Sequence, residues 1–278
     1  MTPDTPLPSD RYTHGHHNSV VASHARRSAA RDAAYLLPLL RPGMRLLDVG
    51  CGPGTITTGL AHAVDPGEVV GVDVSEEVLV QARAAASADG APRGLRFEAA
   101  SVYALPYGDA SFDVVHAHQV LQHLARPVDA LVEARRVLRP GGLVAVRDAD
   151  YATMTAWPPS AAIDRWLQLY HAIAARNGVE PDAGRRLRAW VTEAGFEPVA
   201  SSASVELYAE PGAAAIWARS WAERVLHSNF GVQAMEYGLA TQADLDAIAE
   251  GWRAWAESPE ALFMFVHGEC IGRVPDAA

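Results

Sequence analysis

The run Leu46-Leu47-Asp48-Val49-Gly50-Cys51-Gly52-Pro53-Gly54-Thr55 constrains the fold of this chain more than any other stretch. An apolar, strand-like segment leads into three glycines at alternate positions, and a helical pattern follows. Glycines permit a tight turn and let a ligand approach the backbone. The start of the next helix supplies free N–H groups. A dinucleotide loop shares this plan, but its glycines stand at the first, third and sixth positions. Here they fall at 50, 52 and 54, and the sixth position is Thr55. Asp48 stands just before the loop, where it repels a pyrophosphate and suits a ligand with a cationic end. The pattern therefore opposes a nicotinamide oxidoreductase.

Beyond the loop, short apolar runs alternate with helical stretches, which predicts a mostly parallel sheet covered by helices. Residues 45–49, 68–72, 95–99, 112–117 and 143–147 read as strands. Residues 55–63, 76–88 and 128–137 read as helices. A lid helix is expected over residues 19–40, from an apolar stripe at helical spacing ended by Pro42-Gly43. After Asp148 the rhythm changes, with helices expected over 161–175, 185–194, 211–230 and 242–256 and strands over 198–207 and 262–273. Three parts follow: an N-terminal segment and lid over 1–35, a ligand-binding core over 36–150, and helical cap insertions with sheet-completing strands over 151–278.

Asp73 ends the second strand, 23 residues after Gly50. A carboxylate there can accept hydrogen bonds from both hydroxyls of a ribose. Ser75 is better placed to cap the helix that follows, which leaves Asp73 available.

Composition removes several alternatives. All 23 basic residues among the 278 are arginine, so Schiff-base chemistry and a P-loop lysine are excluded. The formal net charge of -10 makes nucleic acid and anionic membrane poor partners. Two cysteines, Cys51 and Cys270, cannot build a four-thiolate zinc site, and Cys51 reads as a small filler in the glycine turn. His14, His16 and His17 lack the spacing and nearby carboxylate of a metal site, so no metal is expected. No long apolar run marks a signal peptide or a membrane span, and a cytoplasmic location is expected.

The series LLDVGCGPGT, VVGVDVS, LPYGDASFDVV, VLQHL and VLRPGGLVAV resembles successive motifs of the UbiE-like (type 11) class I S-adenosylmethionine (SAM)-dependent methyltransferases. The likeness covers roughly residues 35–148. It implies a Rossmann-like α/β sheet, mostly parallel with the last strand antiparallel. It also implies SAM as cofactor, with S-adenosylhomocysteine as product. By position, Gly50, Gly52 and Gly54 would pack on the methionine and ribose, with Asp48 towards the amino-acid end. Asp73 would hold the ribose, Val74 would lie on the adenine, and Ser101 and Val102 would meet the adenine amine. Ala100-Ser101 replaces the Gly-Asp usual in this family, exchanging a carboxylate for a weaker hydroxyl acceptor.

His118 would line the methyl-transfer site. In similar enzymes the N-terminal segment folds over the cofactor, which would bring Tyr12, His17 and Arg26 to it. His118 and His17 are the candidate bases, because histidine titrates near neutrality. Asp148 and Asp150 are further candidates, unless each pairs with an arginine. Trp157, Trp166, Tyr170, Trp217, Trp221, Phe230, Tyr237 and Phe263 give the cap an aromatic content that serves equally a helical core or a dry pocket. The expected reaction is methyl transfer to a small apolar or aromatic metabolite, in bacterial secondary metabolism, with homodimerisation left open. The alternatives are SAM chemistry of another kind, such as a decarboxylating or carboxy-SAM enzyme, and a non-catalytic SAM-binding regulator.

Overall fold

The computed structural model describes residues 27–88 and 90–276. Seven strands form one sheet: β1 Leu46–Val49, β2 Val69–Asp73, β3 Leu95–Ala99, β4 Phe112–His118, β5 Leu138–Trp157, β6 Glu197–Tyr208 and β7 Leu262–Arg273. Their order is β3-β2-β1-β4-β5-β7-β6. The first five run parallel, and β7 is antiparallel to both neighbours. The chain reverses its direction of travel across the sheet between β1 and β4. Crevices outside the carboxyl ends of such a pair are where open α/β sheets bind ligands.

Each central strand is buried on both faces. Leu46, Val69, Val114 and Ala145 pack on one side with Ile56, Leu60 and Val64 of helix α2, Thr55–Val64. Leu47, Val70, Val115 and Val144 pack on the other with Leu131 and Ala134 of α4, Pro127–Val137, and with Trp190 of α6, Leu187–Glu193. Helix α3, Glu76–Ala88, closes over Phe97 through Leu79 and Ala82. The cap has its own core. Helices α5 (Ala161–Asn177), α7 (Pro211–His227), α8 (Asn229–Glu236) and α9 (Gln242–Trp255) gather Trp166, Trp221, Trp252, Phe230 and Phe263. Trp166 meets Trp221 edge-on with centroids 4.3 Å apart. Such ring pairs add about 0.5–1.5 kcal/mol each beyond area burial.

Three expected elements differ. Within the described part of the lid segment, only Ala29–Asp32 (α1) is α-helical, and Leu37–Leu39 forms a 3₁₀ turn. The Ser28 N–H donates to the Asp32 carboxylate and Ala33 leaves helical backbone, which closes the helix early. The long helix expected over 211–230 divides at Ser228. This residue is extended, and its hydroxyl caps α8 by accepting from the Phe230 N–H. The fifth strand continues ten residues beyond Arg147, because its charged run is paired across strands rather than turned out to solvent. No helix among the described residues is long and apolar enough to cross a membrane.

Candidate functional site

The three loop glycines do different things. A Cβ on Gly50 would collide with Val120 Cγ2, and one on Gly54 would meet Phe97 Cζ at 2.7 Å. Those two glycines admit neighbouring side chains. Gly52, with φ +54, has nothing within 4 Å of that position. It alone turns an open backbone face to the cleft. Cys51 is a filler, since burial pushes its thiol well above the ordinary range.

Asp73 anchors this face. Its Oδ2 accepts from the Gly52 N–H at 3.1 Å and its Oδ1 from the Ser75 N–H at 3.0 Å. Each oxygen keeps a second lone pair for a ligand hydroxyl. Ser75 caps α3 by accepting from the Val78 N–H. Val74 beside it is 73% exposed, an apolar platform at the rim of the cleft. Ser101 is exposed, with its hydroxyl accepting from the Tyr103 N–H at 3.3 Å, while Val102 packs against the core. An open glycine face, a carboxylate with acceptor capacity left and an apolar ledge together suit an adenosyl ligand.

Asp48 lies beneath the loop, 3% exposed. One oxygen accepts from the Thr57 hydroxyl in the first turn of α2, and the other faces His116 Nδ1 at 2.7 Å on β4. It ties loop, helix and strand together, and His116 Nε2 is left buried without a hydrogen-bond partner.

His118 closes β4 and is 6% exposed. Its Nδ1 lies 3.4 Å from Arg147 Nη1, and its Nε2 is buried with no hydrogen-bond partner. Burial first, then Arg27, Arg147, His267 and His116, hold it well below the usual histidine range. A guanidinium beside Nδ1 can only donate, so the ring proton belongs on Nε2. His118 is thus a neutral imidazole that presents an N–H rather than a lone pair. His267 on β7 faces the same guanidinium, with Nδ1 3.1 Å from Arg147 Nη2, and is held neutral in the same way.

Asp150 is not a free base. It forms a two-pronged pair with Arg185, at 2.6 and 2.7 Å. Asp148 is different. Its Oδ1 accepts from the Gln122 N–H at 3.1 Å, its Oδ2 is buried without a hydrogen-bond partner, and burial pushes its pKa up to about 7. Tyr12, His17 and Arg26 lie outside the described residues. No cluster of metal-ligating side chains occurs among the described ones.

Next to this edge a cavity of about 530 Å³ opens beneath the cap. Gln119 and His123 line it from the carboxyl end of β4, Tyr151 and Phe265 from the sheet, and Trp217, Trp221 and Arg224 from α7. Tyr208 stacks on Trp217 with centroids 4.3 Å apart. The cap aromatics therefore divide. Trp217 and Trp221 belong to the cap core with Trp166, Tyr170, Phe230 and Phe263 and also line the cavity, and Trp157 is 56% exposed at the end of β5. Gln119 has φ +54, a conformation rare for a residue with a side chain and concentrated at functional positions. It precedes Val120, the residue packed against Gly50, so one short segment joins the glycine loop to the cavity. Sequence reasoning missed Gln119, Arg147, Glu269 and His267. Their roles arise from partners more than 90 positions away, and only the position of Gln119 beside His118 hinted at any of them.

Residues 40–195 match the methyltransferase domain family. An uncharacterised methyltransferase of Schizosaccharomyces pombe is 36% identical over 273 residues, 95% of this chain and 97% of that protein. The chain belongs to the class I SAM-dependent methyltransferases. The 27-O-demethylrifamycin SV methyltransferase of Amycolatopsis mediterranei is 33% identical over 243 residues, 87% of this methyltransferase and 81% of that one. A putative methyltransferase of Bacillus halodurans shares the fold with TM-score 0.59 at 19% identity, covering 88% and 99% of the two chains. The family matched is the general methyltransferase domain, broader than the UbiE-like group. The enzyme uses SAM.

Proposed function

We propose that this methyltransferase methylates a small aromatic or apolar metabolite held in the cavity beneath the cap. The observation that carries the reading is the Tyr208–Trp217 stack within a cavity of about 530 Å³, whose lining residue Gln119 directly precedes the loop-packing Val120. That volume suits a ligand of drug-like size. The name of the Amycolatopsis relative, which refers to 27-O-demethylrifamycin SV, supports a secondary-metabolite acceptor. The net charge of -10 speaks against nucleic acid and anionic membrane as partners.

In this reading Gly52, Asp73 and Val74 seat the adenosyl part, with Gly50 and Gly54 shaping the loop and Asp48 bracing it from below. Ser101 and Val102 face the adenine edge. SAM, when bound, supplies a methyl group already activated by its sulfonium, for in-line displacement by the acceptor's nucleophile. The chain's own task is then alignment and exclusion of water. His118, a buried neutral imidazole against Arg147, acts here as a positioning residue at the end of β4 rather than as a base. Gln119 orients the acceptor at the mouth of the cavity.

The test uses SAM carrying a tritiated methyl group and a panel of phenols and aromatic amines. The expected result is labelled product with release of S-adenosylhomocysteine. Trp217→Ala should raise the acceptor KM about tenfold, with the KM for SAM unchanged. Transfer of label only to protein or nucleic acid would overturn the reading.

A further inference from the structure

Two groups on the cavity wall, Gln119 and His267, stand between two arginines. Arg147 Nη2 lies 3.1 Å from His267 Nδ1. His267 Nε2 lies 2.5 Å from Gln119 Nε2, and Arg27 Nη2 donates to Gln119 Oε1 at 2.5 Å. The contacts therefore run in a chain from Arg147 through His267 and Gln119 to Arg27. A guanidinium can only donate. Burial first, then Arg147, Arg27 and Arg31, keeps His267 neutral, so its ring offers one N–H and one lone pair. The amide offers an NH₂ group at one end and a carbonyl at the other.

The three links need an acceptor each, and the chain holds two accepting ends. Whichever tautomer and amide orientation is chosen, one link sets a donor against a donor. A mismatch costs most at a buried charge and least beside a cavity that can supply a partner. Arg147 is 2% exposed, so the His267 lone pair belongs to it. The ring proton then points at Gln119, which accepts it only through its oxygen. The amide NH₂ is left on the half-buried, cavity side of Gln119, where Arg27 cannot accept from it. A carbonyl taking both donors through its two lone pairs leaves that NH₂ in the same position. Arg27 is held by further interactions within the protein, so the shortage belongs to the amide.

The backbone of Gln119, at φ +54, and the packing of Val120 against Gly50 fix this amide where the glycine loop meets the cavity. A site with an amide N–H short of an acceptor favours a ligand oxygen and rejects the analogue that lacks it. On the same cavity wall, the stacked Tyr208 and Trp217 match an aromatic ring. We infer that the acceptor is an oxygenated aromatic, and that its carbonyl or hydroxyl oxygen accepts from the Gln119 amide N–H. This rests on the cavity being the acceptor site.

The probes are acetophenone and its isostere α-methylstyrene, in which C=CH₂ replaces C=O. Each is titrated by calorimetry, with S-adenosylhomocysteine present, into the native enzyme, Gln119→Glu and Gln119→Met. The ratio of ketone to alkene affinity is used because it cancels their difference in hydration between proteins. It should fall about tenfold in both variants, with binding of S-adenosylhomocysteine intact. Gln119→Glu supplies acceptors at both ends and completes the chain internally. It should melt no lower than the native enzyme while losing the ketone preference, which a role confined to packing would not produce. In the nitrogen-15-labelled native enzyme, the ketone should shift one glutamine side-chain amide resonance and the alkene should not, a comparison that needs no variant to fold. An unchanged ratio in the variants, or no amide shift with the ketone, overturns the oxygen inference and leaves the cavity as the acceptor site. Binding of neither probe by an enzyme that binds S-adenosylhomocysteine overturns both.

Discussion

Arg147 stands directly opposite Glu269 in the register of β5 and β7, with its Nε 3.3 Å from the carboxylate and 2% of its surface exposed. Ser202 and Ser204 on β6 donate to the same carboxylate at 2.6 and 2.7 Å. Ser204 also accepts from this guanidinium at 3.1 Å, and Asp32, His118 and His267 complete its shell. The result is a polar belt across the sheet, on the face that carries the end of β4.

Arg147→Met breaks that belt by leaving a buried carboxylate without its cation. The expected loss of stability is about 3–5 kcal/mol, measured by chemical denaturation. Adding Glu269→Gln should restore part of it, because the stranded charge is then removed. A double variant no more stable than the single one would contradict the pairing.

Acid should weaken the fold in a defined way. His118 and His267 have folded pKa values well below 6.5, so the stability from burying them neutral is present above pH 6.5 and is lost as pH falls below it. Asp148 acts in the opposite sense. Its pKa is raised from 3.8 to about 7, so it favours folding fully only below pH 3.8, and that contribution disappears as pH rises through about 7. Asp148→Asn should therefore be more stable than the native enzyme at pH 7.5 and should lose stability more steeply between pH 6.5 and 5. Thermal melts across that range check both signs.

The glycines separate folding from binding. Gly54→Ala drives a Cβ into Phe97 and should cost stability whether or not the cofactor is present. Gly52→Ala meets no neighbour, so its stability cost should be limited to the left-handed backbone, about 1 kcal/mol. Its larger effect should be on affinity for S-adenosylhomocysteine, because its methyl group enters the cleft. Calorimetry and melts on the two variants distinguish these outcomes.

Much of the core is legible in the sequence because its signals are local. Leu95–Ala99 and Leu262–Arg273 lie where apolar patterning puts them, and β1 differs from its expected range by one residue. The glycine loop and Asp73 are readable for the same reason. The charged run after Val146 misleads, since Arg147, Asp148 and Asp150 look like the end of a strand. Their partners Glu269, Gln122 and Arg185 are distant in sequence, and only the assembled sheet reveals them. His118 is likewise visible as a site residue from its motif. Its neutral, N–H-presenting state depends on Arg147 and burial, which no motif records.

The most direct measurement is calorimetric titration with S-adenosylhomocysteine, and separately with NAD, of the native enzyme and Asp73→Asn. The native enzyme is expected to bind S-adenosylhomocysteine saturably and NAD not at all. Asp73→Asn, which loses one of the two acceptors for the Gly52 and Ser75 N–H groups, is expected to bind S-adenosylhomocysteine at least about tenfold more weakly while still melting cooperatively. Undiminished binding by the variant, or preference for NAD, would contradict the placement of the cofactor on Gly52 and Asp73.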